Sequence, residues 1–301
     1  MEIKTYDQLR QNMKHQTKRT VVVASAIEDK TLEAVLKAAD DGMVDYILTG
    51  SAKEIQDVAA SIGRKVSTDL IYDTKDENEA AAKAVELINT GDADFIQKGM
   101  LHTAAFLKPI VNRDTGLRIG KMMNYVSMFE TPKYHKLFCL TDGGMQIDPD
   151  LKKKKEMIES TVDLFHSFGV ETPNVACLCA VEDVNPKMQE TVDAAALKEM
   201  NQKGEITGCV VEGPISFDLA MNPATAKVKH FASPVAGNTD ILLMPSIASG
   251  NALLKAMYLF GDAVMGGVVV GGKCPISLTS RDSTIEGRIA ALVLSLGVLN
   301  A

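Results

Sequence analysis

The sequence predicts an α/β protein with mainly parallel sheets and helices on both faces. Two observations predict it: short β-branched runs alternate with helical patterns over most of the chain, and the helical stretches close on glycine. Parallel strands need a crossover to return, and a helix is the usual crossover.

Taken in order, "TVVVAS" ending at Ser25, "VDYILTG" at Gly50, "TDLIYD" at Asp73 and "ADFIQKG" at Gly99 read as strands. Between them "TLEAVLKAADDG" and "NEAAAKAVELINTG" carry the helical period. "MMNYVSMFETPKYHKLFCLTDGG" reads as two strands about a Thr131-Pro132 turn, a connection short enough for antiparallel pairing. The rhythm then resumes. A helix from Asp150 to about Phe168 precedes the strand "NVACLCAV", a helix from Lys187 to Gln202 and the strands "GCVVEG" and "DILLMP". A helix from about Ala248, the strand "GGVVVGG", the strand "CPISLT" and a helix through "IEGRIAALVLSLG" complete the chain.

The 301 residues suffice for one large α/β domain or two of ordinary size, with a sizeable core. A balance of 39 acidic against 32 basic residues argues against a broad nucleic-acid or membrane footprint, so any bound anion must be held by local groups. No apolar run approaches a membrane span and the N-terminus is polar, so a cytoplasmic protein is expected. The five cysteines lie mostly in apolar strand-like runs, as reduced, buried thiols do. Lys152–Lys155 form the strongest charge run. Four consecutive residues encircle a helix, so at least one lysine must face neighbouring structure.

Two nucleotide motifs fail. "GVVVGGKC" lacks the metal-binding hydroxyl of a phosphate loop and is followed by Pro275 and strand rather than helix, and no G-x-G-x-x-G opens a helix after the first strand. His102, His135 and His230 lie too far apart to suggest a metal site.

The informative stretch is "CPISLTSRDSTIEGR". Ser283-Thr284-Ile285-Glu286 has the form of a capping box, which leaves Ser280, Arg281 and Asp282 outside it. A guanidinium beside the positive end of a helix is unfavourable unless an anion joins them. Arg281 and Ser280 are therefore phosphate-binding candidates. A surface pair of Arg281 with Asp282 is the other reading that the spacing allows.

With "TDGGMQIDPDL" from Thr141, "KGMLHTAAFLKPIV" from Lys98, "EGPISFDLAM" from Glu212 and "MPSIASGNALLKAM" from Met244, the Ser280-Arg281 pair makes five ordered blocks. Together they resemble the phosphate acetyl/butyryltransferase family, most closely its butyryl branch. The resemblance implies transfer of a short acyl group between CoA and inorganic phosphate, with acyl-CoA and phosphate as partners and no metal or other cofactor. Acetyl specificity, or a non-catalytic CoA-binding or regulatory protein on the same fold, is the alternative. It also implies a homo-oligomer and an isocitrate/isopropylmalate dehydrogenase-like fold of two domains with a cleft between them. Residues 1–128 and 268–301 would form the first domain, and residues 129–267 a second inserted in it.

Such chemistry assigns Ser280, Asp282 and Asp142 to catalysis. Gly143, Gly144, His102 and Asn251 become oxyanion or substrate donors, and Ser249, Gly250 and Asn251 CoA contacts. The family's acid lies further beyond the Ser-Arg pair than Asp282 does, so Asp282, Glu286 and Asp142 remain open as the base.

Overall fold

The computed structural model describes residues 2–12 and 17–299. In chain order its main elements are α1 (Tyr6–Asn12), β1 (Arg19–Ala24), α2 (Asp29–Asp40), β2 (Val44–Gly50), α3 (Ala52–Ser61), β3 (Ile71–Asp73), α4 (Glu77–Thr90), β4 (Phe95–Lys98) and α5 (Thr103–Ile110). There follow β5 (Asn124–Glu130), β6 (Phe138–Thr141), α6 (Leu151–Ser167), β7 (Asn174–Leu178), α7 (Gln189–Gln202), β8 (Val210–Ile215), α8 (Phe217–Met221), α9 (Pro223–Val228) and β9 (Ile241–Leu243). The last are α10 (Ile247–Phe260), β10 (Val264–Val270), β11 (Ile276–Ser277) and α11 (Ile285–Leu299).

The chain divides into two compact units. One comprises Arg10–Met123 and the segment from Gly266 onward; the other joins the segment ending at Leu9 to Asn124–Met265. In the first unit the strand order is β3-β2-β1-β4-β11-β10, parallel except where β11 meets β10. Val21, Val23 and Leu48 pack with Leu32, Ile55 and Leu292 in one core. Thr49, pointing oppositely along the same strand, hydrogen-bonds the Ala80 carbonyl of α4 at 3.0 Å, so helices cover both faces. Helix α4 illustrates the local signals: Asp76 accepts from the amides of Asn78 and Glu79, and Gly91 closes it at φ +85°.

In the second unit the order is β5-β6-β9-β7-β8. β5 and β6 pair antiparallel, Val126 opposite Thr141, as their short connection allows, and the remaining pairs are parallel. All residues of β6 and β9 are buried, as strands covered on both faces must be. Within the lysine run, Lys154 turns inward to Asp193 at 2.6 Å, while Lys152 and Lys155 meet Glu156 and Glu159 one turn on. The cysteines are free thiols, and burial raises the Cys139 and Cys177 thiols well above the ordinary range.

Candidate active site

In the first unit β1, β4 and β11 lie side by side and parallel, and their carboxyl ends carry Ser25, Lys98 and Ser280-Arg281. The strand ends pinch together. A Cβ on Gly99 would fall 2.2 Å from the Ser25 carbonyl oxygen, so only glycine fits after Lys98. Ser25 itself sits at φ +62° and donates its hydroxyl to the Met100 carbonyl at 3.1 Å. This exchange fixes the loop that leads to His102.

Lys98 is 1 % exposed, and its ammonium donates to the adjacent Gly99 carbonyl at 3.3 Å. Burial, followed by the nearby positive charges of Arg288 and Arg281, lowers its pKa to about 8, with Glu28 and Glu77 opposing. Arg288 of α11, also 1 % exposed, reaches back to the strand end. Its Nη1 donates to Thr279 Oγ1 at 3.2 Å, and its Nη2 donates to the Arg281 carbonyl at 3.0 Å and pairs with Glu28 at 3.2 Å. Glu28 is in turn the N-cap of α2. Arg281 is exposed, and among the described residues its guanidinium has no hydrogen-bond or ion-pair partner. Ser280 is half-buried beside it and Asp282 is exposed. Three cationic side chains thus gather where the sheet ends; Arg288 braces the loop, and Lys98 and Arg281 are the donors suited to a small oxyanion.

His102 is the N-cap residue of α5. Its amide and Nδ1 donate to Glu77 at 2.9 and 3.1 Å, and those bonds, the backbone one foremost, hold the Glu77 carboxyl below its usual range. A carboxylate can only accept, so Nδ1 carries the proton and Nε2 of the neutral ring is an acceptor. As an oxyanion donor His102 would therefore have to be an imidazolium.

The second unit brings other candidates together. The Asp142 carboxyl is buried and accepts from the amides of Tyr125, Gly144 and Met145 at 2.6–2.7 Å. Burial raises its pKa, while these bonds oppose the rise. In this arrangement the Asp142 carboxylate organises its own loop, and the Gly144 amide donates to it. The loop presses on α10, because a Cβ on Gly250 would lie 2.3 Å from the Asp142 carbonyl oxygen. Asn251 Nδ2 donates to the Gly143 carbonyl at 3.0 Å, and the Ser249 hydroxyl donates to the Ser246 carbonyl at 2.9 Å. Ser246, the N-cap of α10, also borders a cavity of about 740 Å³ lined by Asp148, Lys154, Gln189, Glu190 and Asp193.

The expected capping box is displaced by one residue. Thr284 Oγ1 accepts from the Gly287 amide at 3.1 Å and caps α11, whereas the buried Ser283 hydroxyl has no partner among the described residues. The Ser283 amide instead donates to the Ser280 carbonyl at 3.1 Å, making a tight turn that delays the helix. Lys98 and Arg288 were not singled out as site residues by the sequence reading. Their signals were a charge ending the apolar run "ADFIQKG" and a lone guanidinium in the apolar helix "IEGRIAALVLSLG".

Comparison with known proteins bears on the family of the chain. A family model described as phosphate acetyl/butaryl transferase matches residues 74–295. The chain is 40% identical over 293 residues to the phosphate butyryltransferase of Clostridium acetobutylicum, covering 97% of each. It is similar to the crystal structure of a branched-chain phosphotransacylase from Enterococcus faecalis V583, with TM-score 0.81, 30% identity and coverage of 93% of this chain and 99% of that one. A 4-hydroxythreonine-4-phosphate dehydrogenase from Burkholderia phymatum shares the fold alone, at TM-score 0.53 and 13% identity over 93% of this chain and 99% of that one. With the family model spanning most of its length and a relative matched nearly end to end, the chain belongs to the phosphate acetyl/butaryl transferase family.

Proposed function

We propose that the protein transfers a short-chain acyl group, butyryl first among the candidates, between CoA and inorganic phosphate. Family membership supports the reaction class, and 40% identity to a phosphate butyryltransferase favours butyryl. The observation that carries the reading is Arg281, whose guanidinium has no hydrogen-bond or ion-pair partner among the described residues while the buried Arg288 holds its carbonyl at the strand end.

A phosphate oxygen attacks the thioester carbonyl, the carbon–sulfur bond breaks, and acyl phosphate and CoA thiolate result. The exchange balances without a redox carrier. Phosphate is largely dianionic near neutral pH, so it needs positioning more than deprotonation, and Arg281 and Ser280 supply that. The thiol, with a free pKa of roughly 8.5, must lose its proton in the reverse direction. Asp282, in the same loop as Arg281, is assigned that proton. Ser249, Gly250 and Asn251, beside the Ser246 cavity, are assigned to CoA, and Gly143 to the oxyanion. A homo-oligomer working in the cytoplasm belongs to the same reading. Among the described residues no helix is long and apolar enough to cross a membrane.

The test is product identity. Butyryl-CoA and phosphate should yield butyryl phosphate, trapped by hydroxylamine as the hydroxamate in amounts equal to the thiol released. Free butyrate as the sole acyl product would contradict the proposal.

A further inference from the structure

Lys98 is a buried ionisable group whose donors are largely unfilled among the described residues. An ammonium has three donors, and among the described residues this one, at 1 % exposure, has only the Gly99 carbonyl at 3.3 Å as an acceptor. Among the described residues no carboxylate lies within ion-pair distance of it. The charged groups that face it come from four directions. Arg288 on α11 and Arg281 beyond β11 repel it; Glu28 at the start of α2 and Glu77 at the start of α4 attract it. Glu28 is engaged by Arg288, and Glu77 by His102. Each carboxylate is thus already held by another partner, leaving the ammonium without a counter-ion of its own.

Its place in the sheet is equally specific. β4 and β11 pair with Gln97 opposite Ser277, which sets Lys98 level with Leu278, two residues before Ser280. A buried cation with unfilled donors, next to the loop assigned to phosphate, lacks one thing: a small dianion.

We propose that the Lys98 ammonium is a direct ligand of the substrate phosphate, and that phosphate binding draws a proton onto this amine. The inference rests on the phosphate-transfer reading above and adds a residue and a linkage to it. With its pKa lowered to about 8, an appreciable fraction of the free protein holds a neutral amine at pH 8.5. A dianion bound against the nitrogen favours the charged form, so the complex takes up a proton that the free protein lacks.

The experiment is calorimetric titration of the full-length protein with inorganic phosphate at pH 8.5, in buffers of different ionisation enthalpy, for wild type and Lys98→Met. Wild type should take up roughly half a proton or more per phosphate bound. Lys98→Met should take up none, and its KM for phosphate should rise roughly tenfold with kcat less affected. Thermal melting establishes that the variant folds; should it not, wild-type proton uptake alone decides. Phosphate binding to wild type without proton uptake overturns the proposal while leaving acyl transfer intact, as does an unchanged phosphate KM in a folded Lys98→Met. Butyryl-CoA turnover by wild type that ignores phosphate overturns both.

Discussion

Arg288 Nη2 donates to the Arg281 carbonyl at 3.0 Å, so an arginine buried in α11 pins the backbone of an exposed arginine seven residues earlier. The same guanidinium holds Thr279 and Glu28, joining strand end, loop and the N-cap of α2. Division of labour follows from burial. Arg288 is consumed by structure, and the Arg281 side chain is left for a ligand.

Arg281→Ala should therefore raise the KM for phosphate at least tenfold or abolish turnover, with little change in thermal stability. Steady-state kinetics with varied phosphate test this. Wild-type kinetics in the variant would remove Arg281 from the site.

The displaced cap gives a paired prediction. Thr284→Ala should cost about 1 kcal/mol, because Thr284 accepts from the Gly287 amide. Ser283→Ala should be neutral or slightly stabilising, because it deletes a buried hydroxyl without a described partner. Urea unfolding of both variants would contradict the assignment if their order were reversed.

Lys98 should make stability depend on pH in a characteristic direction. Below about 8 the amine is charged in both folded and unfolded states, and the full cost of burying it is present. Between about 8 and 10.5 the folded protein binds fewer protons than the unfolded chain, so this contribution improves as pH rises. In phosphate-free buffer at pH 7, Lys98→Met should be more stable than wild type by up to about 3 kcal/mol, the gap closing above pH 8. A less stable variant with a pH-independent difference would show that the buried charge carries no such cost.

Gly250 tests the second unit. Its hydrogen faces the Asp142 carbonyl oxygen, where a Cβ would come to 2.3 Å. Gly250→Ala should displace the Asp142 loop and lower kcat/KM for acyl-CoA by roughly tenfold or more, since small misplacements carry large kinetic penalties. Full activity would mean that the loop yields freely or has no part in the reaction.

How much of this was legible in the sequence depended on the range of the interactions. Local signals were readable: Asp76 and Gly91 bound α4 where the helical period begins and closes, Asp150 starts α6, and the Thr131-Pro132 turn joins an antiparallel pair. The Ser280-Arg281 pair was readable too, as a cation set before a helix start. Contacts made across the fold were not. Lys98 and Arg281 lie 183 residues apart and share a neighbourhood only because β4 and β11 are adjacent, which no local pattern encodes. Even the cap moved by one residue, because the Ser280–Ser283 turn fixes where α11 begins. Asp142 looked like a free acid by type. Its burial and the four backbone amides around it were not legible.

The most direct measurement is the rate of thiol release from butyryl-CoA by the purified protein as inorganic phosphate is varied. The rate should be negligible without phosphate and rise saturably with it. Release that is equally fast in its absence would identify hydrolysis of the thioester and contradict phosphate as the acyl acceptor.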